Sequence, residues 1–293
     1  VVTVGGMEAL HLAVLATVGP GEELLAPGPV WPNYETQARL AEGTFREVPM
    51  PAETGFALDA DRVIDEMSDE TAAIVLTTPS NPTGRVYDQA ACRAVVEAAA
   101  DHDAYVIADE VYLGLTYDGP GQGIAAYTDH PEHVLTVGSC SKTYAMTGWR
   151  LGWLAGDRHL TDEVVTIHES TTACASSVAQ HAAIAALTGP QKPFEEMYDA
   201  FEARRDLVVD RVASIDGLSC PRPEGAFYAY LDPGLDEPAL DVATYLLEEY
   251  GVVLAPGDGF GATTPGHLRL SFASSPAELR EGFDRIEAGL EAY

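Results

Sequence analysis

Lysine is nearly missing from these 293 residues: Lys142 and Lys192 are the only two, so 14 of the 16 basic residues are arginine. Set against 46 aspartates and glutamates, this gives a formal charge of −30 and a pI near 4.3. A surface this acidic repels nucleic acid and anionic lipid, which excludes both as partners. It suits a protein kept soluble in high salt, where screening weakens the self-repulsion of the charges. Long apolar runs are missing as well. No stretch is long enough to span a bilayer, and no basic segment followed by an apolar one opens the chain, so a cytoplasmic location is expected. Cysteine is scarce and scattered. Cys92, Cys140, Cys174 and Cys220 contain no C-x-x-C pair and read as reduced thiols. His130 and His133 share an acidic loop without cysteine support, which speaks against zinc. Internal repeats and low-complexity tracts are absent. The glycine pairs at 119/121 and 257/259 lack the strand-to-helix setting of a dinucleotide site.

What is present is a globular chain, 46% hydrophobic with mean hydropathy near zero, and long enough for two domains. Short apolar runs at 72–76, 105–108, 134–137 and 151–155 alternate with helical patterns. This predicts an α/β fold, a mostly parallel sheet with helices on both faces. The last third changes character, with an expected strand over 223–230, a helix over 240–250 and a strand over 267–272. A final helix carries Ser275 as N-cap, Pro276 at its first position and Glu278 closing a capping box. The expected division is a large domain over 1–203 and a smaller α+β domain over 204–293, linked by a long helix whose apolar stripe runs from Phe194 to Ile215. The acidic cluster over 57–70 reads as a solvated helix face.

Chemistry concentrates at residues 139–153, SCSKTYAMTGWRLGW. A chain that avoids lysine keeps Lys142 here, preceded by Ser139 and Ser141 and followed by Arg150, a set of hydroxyls and a guanidinium suited to a phosphate. Taken alone, the plain alternative is a surface lysine beside a turn. Elsewhere, Gly5-Gly6-Met7 opens a helix whose first N–H groups, on Gly6 and Met7, make either an anion site or an ordinary cap. Trp31 stands in a proline-rich loop after a strand, either packed in a core or free to stack on a planar ring. Asn81 lies in an N-P-T-G turn. Asp109 ends a buried strand, Tyr112 follows three residues later, and Arg269 sits in a late strand; capping, packing and a salt bridge are their unremarkable readings.

The lysine run resembles the pyridoxal-phosphate attachment signature of class I/II aminotransferases, S-x-S-K followed by an aromatic, a small residue, Gly and x-R-x-G. The blocks GGM, PVWPN, NPTG, DEVY, SCSK with Arg150, and LRLSF occur in family order. With Tyr117-Asp118-Gly119 and PEGAFY, the chain looks most like the aspartate aminotransferase-type branch of bacteria and archaea. The resemblance implies a fold type I transferase dependent on pyridoxal 5'-phosphate, with Lys142 as the Schiff-base lysine and general acid and base. It implies phosphate binding by Gly6, Met7, Ser139, Ser141 and Arg150, and ring stacking by Trp31. Asn81 and Tyr112 would meet the phenolic oxygen, Asp109 would keep the pyridine nitrogen protonated, and Arg269, helped by Asn81, would clamp the substrate carboxylate. The implied activity is ping-pong exchange of an amino group between an amino acid and a 2-oxo acid, in a homodimer with shared sites. A segment upstream of Val1 is expected to complete the small domain and the dimer contact. A pyridoxal-phosphate lyase and a non-catalytic cofactor-sensing domain are the alternatives within the same fold. Family members that prefer acidic substrates can carry a basic residue where Met7 stands, which leaves acidic specificity open.

The charge balance sets one expected outcome. The melting temperature of the purified chain rises from low salt to about 2 M potassium chloride, where screening acts within a few ångströms. Greatest stability in low salt would contradict the high-salt reading.

Overall fold

A computed structural model describes residues 1–261, 264 and 266–293. Its main sheet has seven strands: β1 (Val2–Thr3), β2 (Glu23–Gly28), β3 (Thr44–Pro49), β4 (Thr71–Thr77), β5 (Tyr105–Asp109), β6 (Val134–Ser139) and β7 (Gly152–Ala155). They lie in the order β1-β7-β6-β5-β4-β2-β3. From β3 to β6 the pairings are parallel, and β7 runs antiparallel to both β6 and β1.

Alternation along the strands divides the core between the two faces. Leu24, Val75 and Ile107 point to one face, where they meet Leu10 and Val14 of α1 (Gly6–Thr17) and Val164 of α6 (Arg158–Thr171). Leu25, Ile74, Leu76 and Val106 point to the other, against Val95 and Val96 of α4 (Gln89–Asp101). Full burial is worth roughly 1.5–3 kcal/mol per large aliphatic side chain, so central strands with no polar face hold this sandwich together. In α4 the sequence dictates the helix directly. Asp88 caps it through bonds from the Ala90 and Ala91 N–H groups, and Cys92, Val95, Val96 and Ala99 bury one stripe.

The remaining helices are α2 (Asn33–Leu40), α3 (Ala60–Asp65), α5 (Cys140–Thr143), α7 (Ser177–Thr188), α8 (Lys192–Ser214), α9 (Ala239–Tyr250) and α10 (Pro276–Ala292). A second sheet orders its antiparallel strands β8 (Tyr228–Leu231), β10 (Leu268–Ser271) and β9 (Ala255–Pro256). Its core joins Leu231 and Leu270 to Val208 and Val212 of α8, Leu246 of α9, and Phe283 and Ile286 of α10. The capping box at Ser275 and Glu278 forms as read from the sequence.

Three local expectations change. The strand expected over 223–230 begins only at Tyr228, because the Glu224 and Gly225 N–H groups both donate to the Gly84 carbonyl and bend the chain. Helix within the acidic stretch 57–70 is confined to α3, since Leu58 is drawn into the core ahead of it. The loop at Trp31-Pro32-Asn33 is shorter than read: α2 starts at Asn33 and buries Tyr34, Gln37 and Ala38.

The β1-to-α1 turn packs against the start of β7 so closely that a Cβ on Gly152 would sit 2.6 Å from the Gly5 carbonyl carbon and Gly6 nitrogen. Both are backbone atoms, so the turn has to shift. Gly152→Ala is therefore expected to lose about 1–3 kcal/mol in denaturant unfolding. A midpoint equal to the parent's would show that the turn is not locked against β7.

Candidate active site

Thr3, Gly28, Thr77, Asp109 and Ser139 end their strands on the same edge of the sheet, the edge where open α/β sheets build their sites. Each strand hands its next residues to one cavity of about 350 Å³. Gly6 and Met7 follow β1, Trp31 follows β2, and Asn81 follows β4. Asp109 and Tyr112 come from the end of β5, while Ser139, Ser141 and Lys142 come from the passage of β6 into α5. Arg150 precedes β7, and Arg269 reaches in from β10. The structure thus brings every residue singled out in the sequence to one place. Leu10, Tyr34, Thr77, Val111, Thr147 and Tyr228 complete the lining. A larger hollow of about 740 Å³ lies beside Leu113, Tyr144, Phe194 and Tyr198. Its lining includes Glu110, Glu195 and Asp199 but no cation, so it is unsuited to a phosphate.

Asp109 is buried, and burial holds its carboxyl above the ordinary range, opposed by hydrogen bonds and by the charge of Lys142. Tyr34 Oη donates to Asp109 Oδ2 at 2.6 Å, and the Val111 N–H donates to Oδ1 at 3.3 Å. Because the single Tyr34 hydrogen goes to Asp109, the 2.7 Å bond between Tyr34 Oη and Thr77 Oγ1 has Thr77 as donor. The parallel register sets Thr77 beside Asp109, which fixes this chain of three groups. Sequence reasoning missed Tyr34. Its signal was the spacing from Trp31, three residues earlier, whose ring meets the Tyr34 ring edge-on at 5.7 Å.

Burial, and then the guanidinium charges of Arg150 and Arg269, push the Lys142 amine down from its usual pKa. Lys142 Nζ lies 5.7 Å from the Tyr112 ring centroid and 5.6 Å from that of Phe227, a second residue the sequence did not single out. At the other end, Arg150 adopts left-handed backbone (φ 53°) and donates through Nη1 to the Thr147 carbonyl at 2.9 Å. A Cβ on Gly5 would lie 2.4 Å from Arg150 Nη2, so glycine is what admits the guanidinium beside the α1 N-terminus. Ser139 Oγ caps α5, accepting from the Ser141 N–H at 3.0 Å and donating to the Leu151 carbonyl at 3.2 Å.

Arg269 lies between two rings, with Cζ 4.6 Å from the Tyr228 centroid and 4.7 Å from that of Phe260. Its Nη1 donates to Asn81 Oδ1 at 2.9 Å, while its buried Nε has no partner among the described residues. A buried guanidinium with an unspent donor fits an incoming carboxylate. With its carbonyl oxygen taken up by Arg269, Asn81 keeps its amide hydrogens for another acceptor. A phosphorylated aromatic aldehyde fits this donor set: a helix N-terminus with Arg150 for the phosphate, a buried carboxylate for a ring nitrogen, and an amine of lowered pKa for the aldehyde.

Such a set suits chemistry on amines through a carbonyl cofactor, and comparison with known proteins shows the family. The chain belongs to the aminotransferase class I and II family, whose model matches residues 1–286 and whose members use pyridoxal phosphate. It is 37% identical over 290 residues to the putative aminotransferase YugH of Bacillus subtilis, with 98% of this chain and 74% of that protein covered. It is 37% identical over 293 residues to the aspartate/prephenate aminotransferase of Thermus thermophilus, again with 98% and 74% covered. The crystal structure of the Rhizobium meliloti aspartate aminotransferase superposes with a TM-score of 0.93 at 34% identity, covering 99% of this chain and 76% of that one. The fold is accordingly that of the aspartate aminotransferases, and the chain is an enzyme of the aminotransferase family. Among the described residues no helix is long and apolar enough to cross a membrane.

The raised Asp109 carboxyl carries a stability consequence. A carboxyl whose pKa is raised on folding binds protons more tightly folded than unfolded, so keeping it ionised near neutral pH costs stability. That cost fades as the pH falls through the ordinary carboxylate range. Without added cofactor, Asp109→Asn should therefore melt roughly 2–4 °C above the parent at neutral pH, the response of a chain this size to about 1 kcal/mol. The gap should close toward about pH 4. A variant that melts below the parent at neutral pH would show that the ionised carboxylate is a net stabiliser.

Proposed function

We propose that this chain is a pyridoxal 5'-phosphate-dependent aminotransferase that moves an amino group between an amino acid and a 2-oxo acid in two half-reactions. The observation carrying the reading is one cavity that holds an amine of lowered pKa, a buried carboxylate and a ring-sandwiched arginine with an unspent donor. When bound, the cofactor supplies an aldehyde to take up the amino group and a ring to spread the electron pair left on the substrate Cα.

The protein's own groups have distinct tasks. Lys142 Nζ holds the resting cofactor covalently and, once displaced by the substrate amine, removes the proton from Cα. Its burial and its two guanidinium neighbours lower its pKa, which favours the unprotonated form that a base needs. Asp109 keeps a proton on the ring nitrogen, and a bond to that N–H offsets the desolvation that raises its own pKa. Trp31 covers the ring face. Tyr112 and the Asn81 amide donate to the phenolic oxygen. The Gly6 and Met7 N–H groups, Ser139, Ser141 and Arg150 bind the phosphate, and Arg269 binds the α-carboxylate with Asn81 bracing it.

In this reading the 1–203 domain binds the cofactor, the 204–293 domain brings Arg269, and the enzyme works in the cytoplasm. It works as a homodimer, a reading supported by the exposed apolar residues Val178, Ile184 and Leu187 on α7. The names of the relatives make aspartate the first donor to try.

Lys142→Ala tests the proposal. The parent loaded with pyridoxal phosphate is expected to absorb near the edge of the visible range, to lose that absorbance on adding a competent amino acid, and to release the matching 2-oxo acid. The variant is expected to lack the absorbance and to lose at least about 1,000-fold in rate. If the colour survives in the variant, Lys142 is not the attachment point. Release of ammonia in place of a retained amino group would identify a lyase.

A further inference from the structure

Tyr228 is the first residue of β8 and is buried. It makes two contacts that belong to different parts of the cavity. Its ring covers one face of the Arg269 guanidinium, with Cζ 4.6 Å from the centroid, and its hydroxyl lies 3.1 Å from the hydroxyl of Tyr112. The two tyrosine rings meet edge to face at 5.8 Å. Strand register explains the first contact. Arg269 stands opposite Tyr230 and Ser271 stands opposite Tyr228, so Arg269 and Tyr228 are diagonal neighbours on one face of the sheet. A strained residue explains the second. Ala226, two positions earlier, is fully buried with a left-handed φ of 55°. Its N–H donates to the Leu115 carbonyl at 2.8 Å, and its carbonyl accepts from the Tyr117 hydroxyl. A non-glycine residue held in this conformation by bonds on both sides sets how the chain enters β8, and hence where the Tyr228 side chain lies.

Tyr112 is held firmly in its neutral form, first by burial and then by the proximity of Tyr228, so it keeps a hydrogen that it can donate into the cavity. The charged or titratable groups facing it are Asp109, Lys142, Tyr228 and Arg269. Two hydroxyls sharing one bond can arrange it either way, but if Tyr112 points its own hydrogen at the cofactor, Tyr228 must supply the hydrogen between them.

We propose that Tyr228 is a positioning residue that couples the carboxylate clamp at Arg269 to the hydrogen bond Tyr112 gives inside the cavity. With Arg269 free, the guanidinium against its ring polarises the Tyr228 hydroxyl, and the strengthened bond to Tyr112 makes Tyr112 a stronger donor in turn. A carboxylate bound to Arg269 cancels most of that field, and Tyr112 donates less strongly. The phenolic oxygen of the cofactor then keeps more electron density, and the bound cofactor holds its titrating proton more tightly. Arrival of substrate is thereby signalled to the reacting end of the site through Tyr228, beside the direct bond that Arg269 makes to Asn81. The inference rests on the aminotransferase reading above and adds a residue with no role in it.

The test uses the parent, Tyr228→Phe and Tyr228→Leu, each loaded with pyridoxal phosphate and read by absorbance. The visible band is titrated against pH with and without the amine-free carboxylates 3-phenylpropanoate and maleate. Tyr228→Phe keeps the ring on Arg269 and loses only the hydroxyl. Its midpoint without carboxylate should rise by about half a pH unit or more, the scale of one weakened neutral hydrogen bond. The rise that carboxylate induces should fall to less than about half the parent's, while carboxylate affinity stays within about two-fold. Tyr228→Leu loses the ring as well and should bind carboxylate at least about five-fold more weakly. A Tyr228→Phe protein that titrates like the parent in both conditions overturns the coupling and leaves the aminotransferase reading intact. A parent that takes up no pyridoxal phosphate overturns that reading itself, and is seen before any variant is compared.

Discussion

Asp109 keeps its carboxylate out of water at the end of β5, held by one hydroxyl at 2.6 Å and one backbone N–H at 3.3 Å. Burying an ion so sparsely bonded is costly, and much of the surrounding architecture lessens that cost. Tyr34 must stand at the start of α2 to reach the carboxylate, which requires the chain to turn sharply after β2 through Trp31. Thr77 must lie beside Asp109 in register to supply the hydrogen that Tyr34 then lacks. Lys142 must follow β6, the next strand over, to bring the positive charge that opposes the upward shift. The carboxylate remains poorly compensated even so. A cationic N–H in the cavity would complete it, so relief of that burial cost is a source of binding energy for a protonated ring.

The parts of this arrangement that were legible in the sequence are those where one residue type can do one job. Lys142 stands out because the chain avoids lysine, whereas Asp109, by itself an ordinary strand-end cap, stands out through the DEVY block it opens. Strands β4, β5 and β6 read directly, since burial on both faces leaves their interiors almost wholly apolar. The final helix read to the residue, because Ser275, Pro276 and Glu278 act locally.

What escaped depends on contacts distant in sequence. Tyr34 and Tyr228 look like any packed aromatic until the sheet sets one beside Asp109 and the other beside Tyr112. The turn at 224–226 reads as strand because its bend is imposed by the Gly84 carbonyl, about 140 residues away in the chain, and no local signal carries that bond. α6 was overlooked because its buried stripe is only Leu160, Val164 and His168, with charged and hydroxyl residues between. That pattern is too thin for periodicity to reveal.

The lysine scarcity that marks the whole chain acquires a chemical meaning in the cavity. Among its lining residues, three cations, Lys142, Arg150 and Arg269, face one carboxylate, Asp109, so the site is locally positive inside a strongly acidic protein. Field lines from like charges in a partly desolvated space repel, and the group that can shed its proton yields. Arginine cannot, because delocalisation keeps its guanidinium protonated at any physiological pH, so on Lys142 this repulsion adds to the larger lowering that burial causes. If either arginine were lysine, the repulsion would be shared between two titrating amines and neither would be defined as the base. The same excess of positive charge calls for two anionic groups to balance it, one at the helix N-terminus beside Arg150 and one at Arg269. In the proposed reading a phosphate and a substrate carboxylate would meet that need within one cavity. The acidic surface is no obstacle to their entry, because in salt its field is screened within about a nanometre while the cavity's own cations act at contact.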